Sequence, residues 1–66
     1  MYVDDKGREY TILEKDGIVP FRVAYRKNPE SEWRYIPTIP WEETLEDAID
    51  GLEEFAERFH LKQKGG

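Results

Sequence analysis

A chain of 66 residues without cysteine forms one small domain that has neither disulfides nor a thiolate metal cage to stabilise it. Its net charge of −5 argues against broad electrostatic attraction to nucleic acid or anionic lipid. No apolar run approaches the roughly 20 residues of a membrane span, and no signal-peptide pattern opens the chain. We therefore expect a cytoplasmic protein without a membrane partner.

The core of so small a domain has to come mainly from aromatic side chains. The candidates are Tyr10, Phe21, Tyr25, Trp33, Tyr35, Trp41, Phe55 and Phe59. Both ends of the chain are polar, so we expect a single domain over residues 1–66 with flexible ends at about 1–7 and 62–66.

The first predicted element is a β-hairpin around Asp16-Gly17. An Asp-Gly pair between two β-rich runs favours a type I′ turn, which needs positive φ at both central residues. Taking this pair as a two-residue loop places Ile12 opposite Phe21 and Tyr10 opposite Val23. Both pairs fall on one face of the hairpin, so the turn and the alternation of apolar residues predict the same core side.

A third strand is predicted after a turn at residues 28–31, over about 32–36. Two orientations are open for it, with either Trp33 and Tyr35 or Arg34 and Ile36 directed inward. Burying two aromatic rings is more favourable than burying an arginine, so the first orientation is expected. Prolines at positions 37 and 40 then predict an irregular crossing.

Residues 44–60 have the pattern of an amphipathic helix, in which apolar side chains recur at spacings of three and four. These are Leu45, Ala48, Ile49, Leu52, Phe55, Ala56 and Phe59. Thr44 is the expected N-cap, with Asp47 three residues later as a weaker form of the capping box. The sum is an α+β fold, a three-stranded antiparallel β-meander packed against one C-terminal amphipathic α-helix, in the order βββα.

No pattern of residues predicts catalysis. The one serine, Ser31, belongs to a turn, and the one histidine, His60, lies near a helix end, where it suits the helix dipole. A nucleophile needs a base and an orienting partner, and the chain has no motif that supplies them. Neither a glycine-rich phosphate loop nor a metal-ligand spacing is present. We expect no enzyme activity, no cofactor and no metal.

The sheet face away from the helix is a candidate binding surface. If Phe21 and Val23 face the helix, then Arg22, Arg26 and Arg34 share the uncovered side and are placed to contact phosphates. The alternative is that Glu9 and Glu32 pair with these arginines across strands. Leu13 and Ile36 are expected on the same face, where they would suit a protein partner or a homodimer.

The helix carries most of the net negative charge and presents a second candidate surface. Residues 1–40 hold seven acids and seven bases, whereas residues 41–66 hold eight acids and three bases. Four acids fall on one side of the predicted helix at spacings of three or four, namely Glu46, Asp50, Glu53 and Glu57. This side is either a binding surface for a basic protein or a solvated face that aids solubility.

The segment from Tyr10 to Glu57 resembles the HicB-type antitoxins. The shared features are a hairpin that starts at Tyr10 and continues to Glu14-Lys15-Asp16-Gly17, and a helix start at Thr44-Leu45-Glu46-Asp47-Ala48. The resemblance implies an acidic α+β protein that binds and covers a small basic partner. Three strands followed by a helix also resemble, in topology, the AP2-type DNA-binding domains and the arm-binding domains of phage integrases.

The pair Gly65-Gly66 is similar to the diglycine end of ubiquitin-like modifiers. Those proteins place a strand before the tail, whereas no strand is expected after the helix here, so we interpret the pair as an ordinary tail. The leading hypothesis is a small non-catalytic accessory or antitoxin-like protein that binds a protein partner. The alternative is a nucleic-acid-binding domain that uses the open face of the sheet.

Overall fold

Within residues 1–64, which the computed structural model describes, an antiparallel sheet of five strands is covered on one face by a single helix. In chain order the elements are β1 Tyr2–Val3, β2 Glu9–Glu14, β3 Phe21–Arg26, β4 Arg34–Tyr35, α1 Leu45–Arg58 and β5 Lys62–Gln63. The strands lie in the order β4-β3-β2-β1-β5. The α+β class is therefore confirmed. The three expected strands correspond to β2, β3 and β4, and the expected number was too low by two.

Asp4 organises the turn that follows strand β1. The Asp4 carboxylate accepts hydrogen bonds from the N–H groups of Lys6 at 2.9 Å and Arg8 at 2.8 Å, and from the Tyr10 hydroxyl at 3.0 Å. Gly7 has a φ of 86°, a region that glycine enters without steric cost. The turn joins β1 to β2 in a short hairpin, in a segment that composition alone assigned to a flexible end.

The strand β5 follows from the way the helix ends. The N–H of Leu61 donates to the carbonyl of Ala56 at 2.8 Å, and His60 has a left-handed φ of 56°. This is the Schellman arrangement, which turns the chain back on itself. Residues 62–63 then pair with β1. The expectation of no strand after the helix was wrong, while Gly65-Gly66 lies outside the described residues.

The β2–β3 hairpin has the predicted faces but a different register. Ile12 lies opposite Val23 rather than Phe21, a shift of two residues. The N–H of Lys15 donates to the carbonyl of Pro20 at 2.7 Å and closes a longer loop over 16–19. Proline has no N–H, and this register leaves it outside the ladder, just before β3 begins. A shift of two keeps every side chain on its face.

The orientation predicted for the third strand was wrong. Tyr35 lies opposite Ala24, on the side away from the helix, and Arg34 lies opposite Tyr25, on the helix side. Ile36 is buried in the core, with its N–H donating to the carbonyl of Val23. The expected penalty for an inward arginine does not arise, because β4 is an edge strand and Arg34 remains exposed.

The core lies between the helix and strands β2 and β3. Tyr10, Val23, Ile36 and Leu52 are buried at its centre. Thr44 caps the helix as predicted, since its hydroxyl accepts the N–H of Asp47 at 3.1 Å. No helix in residues 1–64 has the length and apolar character needed to cross a membrane.

Candidate binding surfaces

The sheet face away from the helix carries stacked arginine and aromatic side chains. The guanidinium carbon of Arg26 lies 4.4 Å from the ring centroid of Trp33. That of Arg22 lies 5.2 Å from the ring of Tyr35 and 5.4 Å from that of Trp41. We call these five residues the arginine–aromatic face. Two tryptophans and a tyrosine that were expected in the core therefore lie on the opposite side of the sheet.

Arg22 is also bound to the backbone of the crossing between β4 and α1. Its Nε donates to the carbonyl of Ile39 at 3.2 Å, and one Nη donates to the carbonyl of Ile36 at 3.4 Å. The side chain thus satisfies two carbonyl groups of an irregular segment and contacts two rings that are themselves 4.9 Å apart. Sequence reasoning missed this role, because nothing local links position 22 to positions 36 and 39.

Arg26 is held by an ion pair on the same face. Its Nε lies 2.6 Å from one carboxylate oxygen of Glu9, and the Lys64 Nζ lies 2.6 Å from the other. Glu9 is only 2% exposed, and the hydrogen bonds from Lys64 and Arg26 hold its pKa below the ordinary value. The predicted pairing of Glu9 with Arg26 is present, whereas the ion pairs within residues 1–64 do not include Glu32.

The three arginines predicted to share one face are divided between the two faces. Arg22 and Arg26 lie on the uncovered side, whereas Arg34 lies on the helix side of β4. The expected apolar pair on the uncovered side is also separated. Leu13 is half-buried there, opposite Arg22, and Ile36 belongs to the core.

The acidic helix face is formed by the exposed residues Glu46, Asp50, Glu53 and Glu57. Within residues 1–64 the ion pairs use only Asp4 and Glu9 as acids, so these four carboxylates have no cation within salt-bridge distance. Leu45 and Ile49 lie beside them on the helix and are 48% and 39% exposed. The apolar stripe of the helix is thus wider than the sheet covers, and its uncovered edge adjoins the acids.

A groove of about 420 Å³ runs between the helix and the crossing that precedes it. Its apolar lining comes from Ile39, Pro40, Gly51, Phe55 and Phe59, and its polar lining from Thr38, Glu42, Glu54 and Arg58. Phe59, at one end, is 56% exposed. We call this feature the crossing–helix groove. It was not predicted, because it depends on where an irregular segment packs against the helix.

The histidine and the serine, two residue types that often take part in catalysis, lie in a helix cap and in a turn. His60 occupies the left-handed position of the helix cap, and Ser31 belongs to the turn in which its N–H donates to Asn28. Within residues 1–64, no three side chains of the metal-ligating types come together.

Comparisons with protein-family models, curated proteins and solved structures return no match to this chain. The functional assignment accordingly depends on the geometry and charge of the surfaces described above.

Proposed function

We propose that this protein is a non-catalytic, cytoplasmic binding module that captures a basic protein partner through its acidic helix face. One observation carries the proposal: Glu46, Asp50, Glu53 and Glu57 are exposed on one side of α1 without a cation partner within residues 1–64. A field of one sign steers an oppositely charged protein during encounter and disfavours other partners.

Apolar residues beside the acidic helix face supply apolar contact area, which the charged groups do not provide. Leu45 and Ile49 precede Glu53 on the same part of the helix, and both are substantially exposed. Protein interfaces combine an apolar centre with a charged rim, and charge mainly sets specificity and association rate. The resemblance to HicB-type antitoxins supports the same class of partner, a small basic protein.

The proposal is tested by reversing two charges of the acidic helix face. Glu53→Lys with Glu57→Lys should abolish capture of the partner from nuclease-treated lysate. It should leave the fold intact, because like-charge i,i+4 pairs cost a few tenths of a kcal/mol and a positive charge suits the helix C-terminus. Glu14→Lys with Glu30→Lys is the matched control, since both positions are exposed and lie outside the helix.

Capture that survives the helix reversal would refute the proposal, as would equal loss in the control variant. Size-exclusion chromatography of the same proteins distinguishes a second copy of the chain from another partner. If the partner is a second copy, the wild type elutes as a dimer and the helix variant as a monomer.

A second candidate function, nucleic-acid binding, is favoured by one observation on the sheet. Trp33, Tyr35 and Trp41 lie on the same uncovered face as Arg22 and Arg26, and bases stack on such rings while cationic groups follow the backbone. It is second because Arg22 is bonded to backbone carbonyls and Arg26 to Glu9. Both guanidinium groups are already held by contacts within the domain, and the charge of Arg26 is paired with that of Glu9.

Tryptophan fluorescence provides the test of this second function. Single-stranded and duplex oligonucleotides are titrated at two salt concentrations, because phosphate contacts make affinity fall steeply with salt. Submicromolar, salt-dependent binding that is lost in Trp33→Ala and Arg26→Ala but retained in Arg34→Ala, which lies on the other face, would place nucleic acid first. Weak binding that is equal in all variants would support the protein-binding proposal.

A further inference from the structure

The crossing–helix groove has one wall that is fixed by contacts away from the groove itself. Arg22 holds the carbonyl groups of Ile36 and Ile39. Phe21 and Glu42 exchange two backbone hydrogen bonds, at 3.1 and 2.7 Å, which tie the far end of the crossing to the start of β3. A groove whose wall is already in place loses little conformational freedom when a ligand enters it.

The opposite wall is open because the helix has a glycine there. Gly51 faces the crossing, and a Cβ at this position would stand 3.9 Å from the Ile39 Cγ2. Glycine within a helix is less favourable than alanine, and the added methyl would make only an ordinary contact. Gly51 is therefore not required for packing, and its missing side chain leaves space in the groove.

The lining of the groove suits a peptide with an apolar side chain between basic ones. Ile39, Phe55 and Phe59 provide apolar surface, and Glu42 and Glu54 place two carboxylates at the edge against one cation, Arg58. The groove extends along the helix from Gly51 to Phe59, which is about 12 Å at the rise of an α-helix. An extended chain of three to four residues covers roughly the same length.

We propose that the crossing–helix groove binds an extended basic segment of a protein partner, with one leucine-sized side chain inserted between Ile39 and Phe55 and flanking lysine or arginine residues at Glu42 and Glu54. The inference rests on the proposed function, because it assigns a second contact to the same basic partner. It adds an apolar anchor on the flank of the helix that adjoins the crossing.

The test uses defined peptides and a ¹⁵N-labelled sample of the full chain. The probe is an acetylated, amidated peptide of sequence Gly-Lys-Leu-Lys-Gly. Two matched peptides replace either the leucine by glycine or both lysines by glutamate. The first peptide should shift the amide signals of Gly51, Glu54, Phe55 and Phe59, and each replacement should weaken binding at least tenfold.

Two variants at one position separate binding from folding. Gly51→Leu fills the groove and should remove the peptide-induced shifts, whereas Gly51→Ala leaves most of the space and should retain them. Both substitutions favour the helix, and the amide spectrum of each variant without peptide shows whether the fold is retained, which separates loss of binding from unfolding. Equal binding by the lysine and glutamate peptides, shifts located elsewhere, or no shift at millimolar peptide would overturn the inference.

The outcomes for the groove and for the proposed function are independent. If the peptides fail while reversal at Glu53 and Glu57 still abolishes capture of the partner, only the groove inference falls. If the peptides bind at the groove while capture survives that reversal, the acidic helix face is not the main contact and the proposed function falls.

Discussion

Arg22 shows how a single side chain can organise an irregular segment. Its guanidinium contributes hydrogen bonds to two carbonyl groups of the crossing and also contacts the rings of Tyr35 and Trp41. Arginine suits this role because its planar group offers donors in fixed directions and also stacks on aromatic rings. A lysine would provide a point charge without either property.

We expect Arg22→Ala to lower the free energy of unfolding by about 1–3 kcal/mol, because two carbonyl groups lose a charged donor and two rings lose a stacking partner. Urea denaturation monitored by tryptophan fluorescence measures the effect. Arg34→Ala is the control, since Arg34 is exposed and the change should stay within about 0.5 kcal/mol. Equal effects in the two variants would show that Arg22 does not anchor the crossing.

Two carboxyl groups link the stability of the fold to pH. Partial burial acts to raise the pKa of Asp4, but hydrogen bonds from Arg8, Tyr10 and Lys6 outweigh it and hold that pKa below the ordinary value. The pKa of Glu9 is lowered by hydrogen bonds from Lys64 and Arg26. Folded protein therefore binds fewer protons at these groups than unfolded protein does.

The contribution of these groups should be fully present above their unfolded pKa, about 4, and should be lost as pH falls through their lower folded values. Urea midpoints should therefore decrease as the pH is lowered from neutral to about 2. Glu9→Gln should be less stable than wild type at neutral pH and should converge with it in acid. Parallel curves for the two proteins would contradict the assignment.

At the scale of elements, the helix packs on the sheet through buried aliphatic residues, and Phe55 adds an aromatic contact. The ring of Phe55 lies 5.6 Å from that of Tyr10 and 4.5 Å from that of Phe59, measured between centroids. Phe55 packs against the core cluster, whereas Phe59 is more than half exposed at the edge of the groove. Two phenylalanines one turn apart thus have different surroundings.

We expect Phe55→Ala to cost about 3–5 kcal/mol, a large part of the stability of a domain this small. Phe59→Ala is the matched control and should cost much less, because most of its ring is already in contact with water. Thermal unfolding followed by circular dichroism compares the two. Similar melting temperatures for Phe55→Ala and wild type would show that the helix does not pack on β2 and β3 through this ring.

At the scale of the whole molecule, residues 1–3 and 62–64 meet at one edge of the sheet. Strand β5 pairs with β1, the N–H of Lys64 donates to the carbonyl of Met1, and the Lys64 side chain reaches Glu9. These contacts join residues more than 50 positions apart, and they complete the sheet beyond β2. The ends therefore contribute to the folded domain.

Removal of residues 62–66 should consequently lower the free energy of unfolding, by about 1 kcal/mol for each backbone hydrogen bond that is lost. Urea denaturation measures the change. The control is replacement of Lys62 and Gln63 by alanine, which keeps the backbone pairing. A truncated protein as stable as the full chain would show that β5 adds nothing to the fold.

Local patterns in the sequence were sufficient for the helix and for the faces of the hairpin. The spacing of Leu52 and Phe55, the cap at Thr44 and the alternation through Val23 involve neighbours within a few residues, where backbone geometry alone decides which side chains share a face. The acidic helix face was predictable for the same reason. These local features were sufficient to predict the α+β class without any long-range contact.

Tertiary structure alone decided the remaining features. Strands β1 and β5 each have two residues, too few for an apolar alternation to be recognised, and they pair only because the chain ends meet. The orientation of β4 depended on whether the helix covers the edge of the sheet. The register of the hairpin depended on where a proline is tolerated, which placed Pro20 in the loop. The anchoring of the crossing by Arg22, and hence the groove beside Gly51, depends on contacts between residues far apart in the chain. Such contacts leave no periodic signal in the sequence, because their energy is realised only when the packed elements bring the residues together.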